Sequence, residues 1–223
     1  MKIYALIPAY NESAAITSVV QASQKHLEVL VVDDGSKDDT AALAEAAGAL
    51  VVRQVPNQGK GAALRAGFRR AIEDGCDAVV MLDADGQHDP AEIPAFLACW
   101  QQNHSDLIIG QRTFAKMPWL RRNTNTIGTW MFSWAMGQHI PDNQSGYRLL
   151  SRRLMQATLE SSESGFEFEV EMIVTCLKSG FRLDWVPIRT IYQGEHSHIQ
   201  PLKHLVNFIR VVLAARRAMH AKP

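Results

Sequence analysis

The sequence predicts an α/β protein whose core is a mostly parallel sheet with helices packed on both faces. Three observations carry that expectation. Over the first half of the chain, short unbroken apolar runs alternate with segments of helical period. The runs are apolar throughout and do not alternate with polar residues, as strands do when both sheet faces are covered. Polar and glycine-bearing stretches follow each of the five runs, where strand ends would lie.

Taken in order, "KIYALI" (2–7) reads as a strand closed by Pro8, and "SAAITSVVQAS" (13–23) as a helix with Ser13 as its N-cap. "EVLVV" (28–32) is a buried-strand run, and "DDTAALAEAAG" (38–48) an alanine-rich helix ending on Gly48. "ALVVR" (49–53) is a third strand, followed by a helix over 59–75 bounded by glycines. "DAVVML" (77–82) is a fourth, and 90–102 a helix with Pro90 in first position. "DLIIG" (106–110) makes a fifth. Beyond Gly110 the alternation breaks. A helix rich in Trp, Met and Phe is expected over 117–137, and a short strand-like piece over 145–151. Two further helices follow, then one or two strands within 181–192 and a terminal helix over 201–220.

A chain of 223 residues with no repeat or low-complexity stretch fits one domain with a substantial core. Its zero formal net charge argues against nucleic acid as a partner. The average conceals an asymmetry, because no acid follows Glu195 while Lys203, Arg210, Arg216, Arg217 and Lys222 do. A basic tail of this kind suits a phosphate-rich or anionic-lipid surface. Cys76, Cys99 and Cys176 are scattered and odd in number, which suits core residues of a reducing compartment. The amino terminus has neither the length nor the small-residue cleavage site of a secretory leader. No run approaches the ~18 apolar residues of a spanning helix. The expected location is cytoplasmic, with peripheral contact at the inner face of a membrane left open.

Ligands of open parallel sheets bind beyond the carboxyl ends of the strands. That rule gathers "PAYNE" (8–12), "DDGSKDD" (33–39), "NQGKG" (57–61), "DADGQHD" (83–89) and "GQR" (110–112) along one edge. "NQGKG" lacks the phosphate-loop frame and the dinucleotide fingerprint, and Gly61 is equally well explained as a helix cap. Asp38 and Asp39 read as helix caps, whereas Asp33 and Asp34 sit at the strand end, able to accept from a base or ribose. The strongest signal is "DADGQ". Asp83 and Asp85 flank one alanine, and in extended chain both would face the strand end. Two such carboxylates repel unless a cation holds them. With Gln87 they offer hard oxygen ligands for Mg²⁺ or Mn²⁺.

In this order, "IPAYNE", "VVDDGSKDDT", "NQGKGAALRAG", "LDADGQHDP", "GQR" and "SGYRLLSRRL" resemble the family 2 glycosyltransferases, in particular the polyprenyl-phosphate sugar transferases. The resemblance covers about residues 3–198 and implies the GT-A fold, a Rossmann-like sheet with an irregular acceptor-side region and an amphipathic terminal helix. It implies a nucleotide-sugar half over 1–112, an acceptor side over 113–200 and a terminal helix over 201–223. By the same resemblance Pro8, Tyr10, Glu12, Asp33, Asp34, Lys60, Asp83, Ala84 and Asp85 would hold a UDP- or GDP-sugar, and Asp83, Asp85 and Gln87 the metal. Arg112, Arg122, Arg148, Ser145 and His198 fall where that branch binds its acceptor phosphate, and Asp85, Arg112, Arg122 and Arg148 would take part in catalysis.

The implied reaction is inverting, metal-dependent transfer to a polyprenyl phosphate or another membrane-associated acceptor. A lipid phosphate is already ionised and needs no general base, only cationic placement. One departure is "QGEHSHI" (193–199), where His198 stands in the place of that branch's lysine. Histidine there suits phosphate or serves as base toward a hydroxyl of a lipid, aryl headgroup or glycan. For a hydroxyl acceptor, Glu167, Glu169 and Glu171 are further candidate bases. A non-catalytic nucleotide-sugar-binding subunit is the alternative of another class, and the intact Asp83, Asp85 and Gln87 count against it. The stripe of Leu202, Leu205, Val206, Ile209, Val212 and Leu213 suits either an interfacial helix or one packed on its own domain.

Overall fold

The computed structural model describes residues 1–112, 119–160, 168–189 and 201–220, with side chains of 119–127 and 201–207 left aside. The apolar runs form strands β1 (Ile3–Ala9), β2 (Glu28–Asp33), β3 (Leu50–Arg53), β4 (Ala78–Met81) and β5 (Leu107–Arg112). Two later strands, β6 (Arg148–Ser151) and β7 (Leu183–Ile188), join them. All seven make one sheet in the order β3-β2-β1-β4-β6-β5-β7.

Neighbours β1, β2, β3 and β4 run parallel, as do β5 and β7. Strand β6 is the exception. It lies between β4 and β5 and is antiparallel to both, with Met81 opposite Arg148 and Ile109 opposite the same residue. The sequence expectation placed the strand over 145–151 but gave it no direction, because a short strand-like piece carries none. Pro187 is tolerated in β7 because that strand is an edge.

Helices cover both faces. On one side Tyr4, Leu6, Leu30, Val32, Val79 and Met81 pack with side chains of α3 (Lys60–Glu73), α6 (Arg152–Glu160), α7 (Phe168–Lys178) and the described parts of α5 (Trp119–Met136) and α8 (Pro201–His220). On the other, Ala5, Ile7, Val29, Val31, Ala78 and Val80 pack with α1 (Ile16–Gln24), α2 (Thr40–Ala46) and α4 (Ile93–Asn103). Each such aliphatic residue beyond alanine adds about 1.5–3 kcal/mol by leaving water, and successive strand residues serve opposite layers.

Two helix starts differ from the sequence reading. Helix α1 begins at Ile16 after Ala15, so Ser13 is not its cap; the Ser13 backbone N–H donates instead to Asp38 Oδ2 at 3.2 Å. The helix expected from Pro90 opens as a 3₁₀ turn over Pro90–Glu92, with Asp89 accepting from the Ala91 N–H. Asp89 is therefore a cap, set apart from the two acids before it.

Candidate active site

The carboxyl ends of β1 to β5 do lie along one edge. At the ends of β1 to β4 opens a cleft of about 510 Å³. Pro8, Tyr10 and Glu12 line it from the β1 loop, Asp34 from β2, Asn57, Gly59 and Lys60 from the β3 loop, and Asp83, Ala84 and Asp85 from β4.

Short polar bonds fix these loops. Asn11, at φ 56°, accepts the Lys37 N–H through its side-chain oxygen, and its own N–H donates to Ser36 Oγ. The Glu12 N–H donates to Thr40 Oγ1 at 2.8 Å. Asp34 is buried, and its two oxygens accept the N–H groups of Gln58 and Gly59 at 2.9 and 2.7 Å. Much of its capacity thus goes to folding the β3 loop, where Gly59 needs its φ of 91° to start α3. Asp33 is also buried. Its Oδ2 accepts the Ser36 N–H, while Oδ1 is buried with no hydrogen-bond partner in the described structure. A buried carboxylate oxygen left without a donor is costly and marks a place for a ligand N–H or O–H.

The β4 loop is held as firmly. Asp85 Oδ1 accepts the Gln87 N–H at 2.9 Å, which folds the turn through Gly86. The Asp83 N–H donates to His88 Nδ1 at 3.0 Å, so that nitrogen is the unprotonated one. The buried imidazole stacks on Tyr147, which stacks on Phe96. Burial pushes the His88 pKa down, against the pull of Asp83 and Asp85.

Asp83 Oδ1 lies 2.7 Å from Lys60 Nζ, and the same ammonium lies 3.0 Å from Glu169 Oε1 at the start of α7. Burial alone would push both carboxyls up; the charge and hydrogen bond of Lys60 together with the Arg148 charge act against it, and both are held below the ordinary carboxylate value. Burial likewise works against the Lys60 charge, and the two acids raise its pKa overall. A Cβ placed on Gly146 would stand 2.7 Å from Asp83 Oδ2. Only glycine lets the chain entering β6 approach the acid so closely.

The donor set suits a hard dication. Asp83 and Asp85 supply two carboxylates facing one cleft, and such ions fill their remaining positions with water and phosphate oxygens. Among the described residues, no three His, Cys, Asp or Glu side chains already form a cage. The Gln87 backbone N–H holds Asp85 in place.

The acceptor-side residues are distributed differently from expectation. Arg112 forms a two-pronged pair with buried Asp142, Nε to Oδ2 at 2.7 Å and Nη2 to Oδ1 at 2.9 Å. Asp142 also accepts the N–H groups of Gln144 and Ser145, so one acid shapes the turn and aims the guanidinium. Arg148 is not presented to the cleft. It is 0% exposed, and Nε, Nη1 and Nη2 donate to the carbonyls of Ser145, Glu169 and Asn143. Burial lowers its pKa to about 10, against the pull of Glu169, Asp142 and Asp83. The expectation that Arg148 grips an acceptor phosphate fails for this reason; the side chain braces the loop under Asp83. Ser145 is buried too, with Oγ lacking a described partner. Arg122 lies on α5 with its side chain outside the described residues, and His198 and Glu167 fall outside the described residues altogether. Of the three glutamates, Glu169 reaches the site and Glu171 pairs with Arg65 behind it.

Sequence reasoning passed over Asp142 and Gly146. For Asp142, a signal was available: an acid three residues before Ser145, in "PDNQSGY", is a common turn-forming pattern.

Residues 4–159 match the model of "Glycosyl transferase family 2". An undecaprenyl-phosphate mannosyltransferase of Micrococcus luteus is 31% identical, the alignment covering 97% of this chain and 96% of that one. A UDP-N-acetylglucosamine–dolichyl-phosphate N-acetylglucosaminyltransferase of Methanococcus voltae is 28% identical, with 92% of each covered. Among solved structures, glucosyl-3-phosphoglycerate synthase of Mycobacterium tuberculosis, crystallised with Mn²⁺, UDP and phosphoglyceric acid, superposes with a TM-score of 0.74 at 22% identity. That match covers all of this chain and 80% of the synthase chain.

Proposed function

The chain belongs to glycosyl transferase family 2, and on that premise we propose that this glycosyltransferase moves a sugar from a UDP- or GDP-sugar to a polyprenyl phosphate or another membrane-associated acceptor, with inversion. The observation that carries the reading is the cleft itself, where a strand-end acid pair, a lysine and the "PAYNE" loop meet. In this reading residues 1–112 bind the donor, 113–200 face the acceptor and 201–223 form the terminal helix of the same domain.

Asp34 lines the end of the cleft assigned to the nucleoside, next in the chain to buried Asp33 with its unpartnered oxygen. Asp83 and Asp85 would hold Mg²⁺ or Mn²⁺, whose charge supports the departing diphosphate. The chain's own task is to hold donor and acceptor in line. An acceptor phosphate oxygen forms its bond to the anomeric carbon as the bond to the donor diphosphate breaks, and the nucleoside diphosphate leaves. No proton must be removed from such an acceptor, so placement dominates. Arg112, aimed by Asp142, and Arg122 supply the cationic side of that placement.

Transfer to a hydroxyl would need a base. Glu169 is bound to Lys60 and held below the ordinary carboxylate range, and Glu171 is bound to Arg65. Neither is set up to take a proton, which favours the phosphate acceptor.

Membrane contact draws support from α5 and α8. Trp130 and Trp134 are 70% and 49% exposed on one, Ile209 and Leu213 38% and 45% on the other. Arg216 lies over the Trp134 ring at 3.7 Å, joining the two stripes. Aromatic and basic side chains together suit an anionic lipid interface. Among the described residues, no helix is long and apolar enough to cross a membrane.

The test is calorimetric titration of UDP and GDP, and of their glucose, N-acetylglucosamine and mannose conjugates, with and without Mn²⁺. The expected result is metal-dependent binding of one nucleotide, lost in Asp85→Ala. Absence of binding by every ligand would refute the donor site.

A further inference from the structure

Asp83 has only one side open to a ligand. Its Oδ2 is walled by Gly146 and by His88, whose Nδ1 lies 3.8 Å away. Its Oδ1 faces the cleft and is already covered by the Lys60 ammonium at 2.7 Å. The backbone that carries Lys60 is fixed, since Asp34 holds the N–H groups of Gln58 and Gly59 just before it. The side chain is a four-carbon stem, 41% exposed, ending in a compact charge that can turn about its bonds. Its second anchor, Glu169, stands on a different element, and the Glu169 carbonyl is itself held by buried Arg148.

We propose that Lys60 is a placeholder cation: without donor it occupies the Asp83 oxygen a divalent ion would use, and it passes to the donor diphosphate when that ion enters. Glu169 is the positioning residue that keeps the ammonium beside the cleft during the exchange. The inference rests on the donor-site reading above. Two cations do not share one carboxylate oxygen without repulsion, so metal alone must displace Lys60 and leave the ammonium only the Glu169 contact it already has. A diphosphate supplies the receiving charge. Metal and nucleotide therefore favour each other's binding, and the coupling resides in Lys60.

The experiment measures Mn²⁺ alone, by calorimetry and by the paramagnetic resonance of the free ion, and then UDP and GDP in the presence of Mn²⁺. Wild type is compared with Lys60→Met, Glu169→Gln and Lys25→Met, the last removing an equal charge from an exposed position at the carboxyl end of α1. Lys60→Met is expected to bind Mn²⁺ alone about tenfold more tightly, and nucleotide with Mn²⁺ about tenfold more weakly, within the usual range of such couplings. Glu169→Gln should bind Mn²⁺ alone no more tightly than wild type, yet lose nucleotide affinity. Lys25→Met should match wild type in both. Melting temperatures check that each variant is folded. Unchanged Mn²⁺ affinity in Lys60→Met overturns the proposal, as does an equal gain in Lys25→Met or wild-type nucleotide affinity in Glu169→Gln. Failure of wild type to bind either nucleotide with Mn²⁺ would instead overturn the donor site.

Discussion

Replacing Gly146 with alanine separates the placement of Asp83 from its chemistry. Gly146 has no left-handed backbone requirement, so the substitution adds a methyl and little else. The added Cβ would stand 2.7 Å from Asp83 Oδ2, 3.1 Å from Oδ1 and 3.2 Å from Cγ. Comfortable contact begins near 3.5 Å, so the acid must give by about 0.8 Å. Asp83 is short, its N–H is tied to His88 and its Oδ1 to Lys60, so it turns only by loosening one of these. Displacement of a reacting group by about 1 Å costs about a hundredfold in rate, equivalent to about 2.7 kcal/mol of transition-state stabilisation. Overpacking costs about 1–3 kcal/mol of stability, and the low end applies where a carboxylate can shift. The assay is transfer to a polyprenyl phosphate in vesicles, using whichever nucleotide sugar binds, with Mn²⁺ titrated and melting followed in parallel. A folded Gly146→Ala protein with wild-type kcat/KM and Mn²⁺ dependence would refute the claim that this contact positions the acid.

Arg148→Met should cost about 3–5 kcal/mol, the range for emptying one side of a buried polar arrangement, because three carbonyls lose their donor; denaturant unfolding reads it. Normal stability with a selective loss of acceptor affinity would restore Arg148 to the acceptor site. Asp106 is buried and accepts from Arg153, Ser151 Oγ and the Arg182 N–H, joining β5, β6 and β7. Burial pushes its carboxyl up, but these donors hold it below 3.8 in the fold. The stability it contributes is full above the unfolded value and is lost as pH falls through the folded one. Asp106→Asn should therefore be less stable at neutral pH by about 1.5–3 kcal/mol, and the difference should shrink below about pH 4; a constant difference down to pH 2 would contradict this. Trp130→Ser with Trp134→Ser should weaken sedimentation with anionic vesicles severalfold at unchanged melting temperature, and unaltered binding would remove this face from the membrane reading.

The alternation of buried strands and helices was legible because period and length are local properties, and the strand-end rule then located the cleft. The acid pair was legible for the same reason, since Asp83 and Asp85 are two residues apart. What failed to show were approaches between distant segments. Gly146 reads as one more turn glycine until Asp83 is placed against it. Arg148 after "SGY" reads as an acceptor-phosphate ligand because the carbonyls that bury it belong to residues 143, 145 and 169. Glu169 was visible as one of three glutamates, and only the packing of α7 on α3 and α6 separates it from Glu171. Ser13 failed as a cap because its backbone N–H is held in the loop by Asp38, 25 residues on, and α1 starts only after Ala15.

The insertion of β6 between β4 and β5 also sets an order of events during synthesis. Strands β1 to β4 form adjacent parallel units through local crossovers, and these can assemble as the chain emerges. Beside β4, however, the sheet stays open until residues 148–151 arrive, and β5 must wait although it is made earlier. The wait leaves a buried-type strand edge exposed, the kind that recruits other chains. Slow translation just before residue 148 would prolong that exposure, and a fragment ending at residue 112 should aggregate through β4 even though every loop of its nucleotide cleft is present.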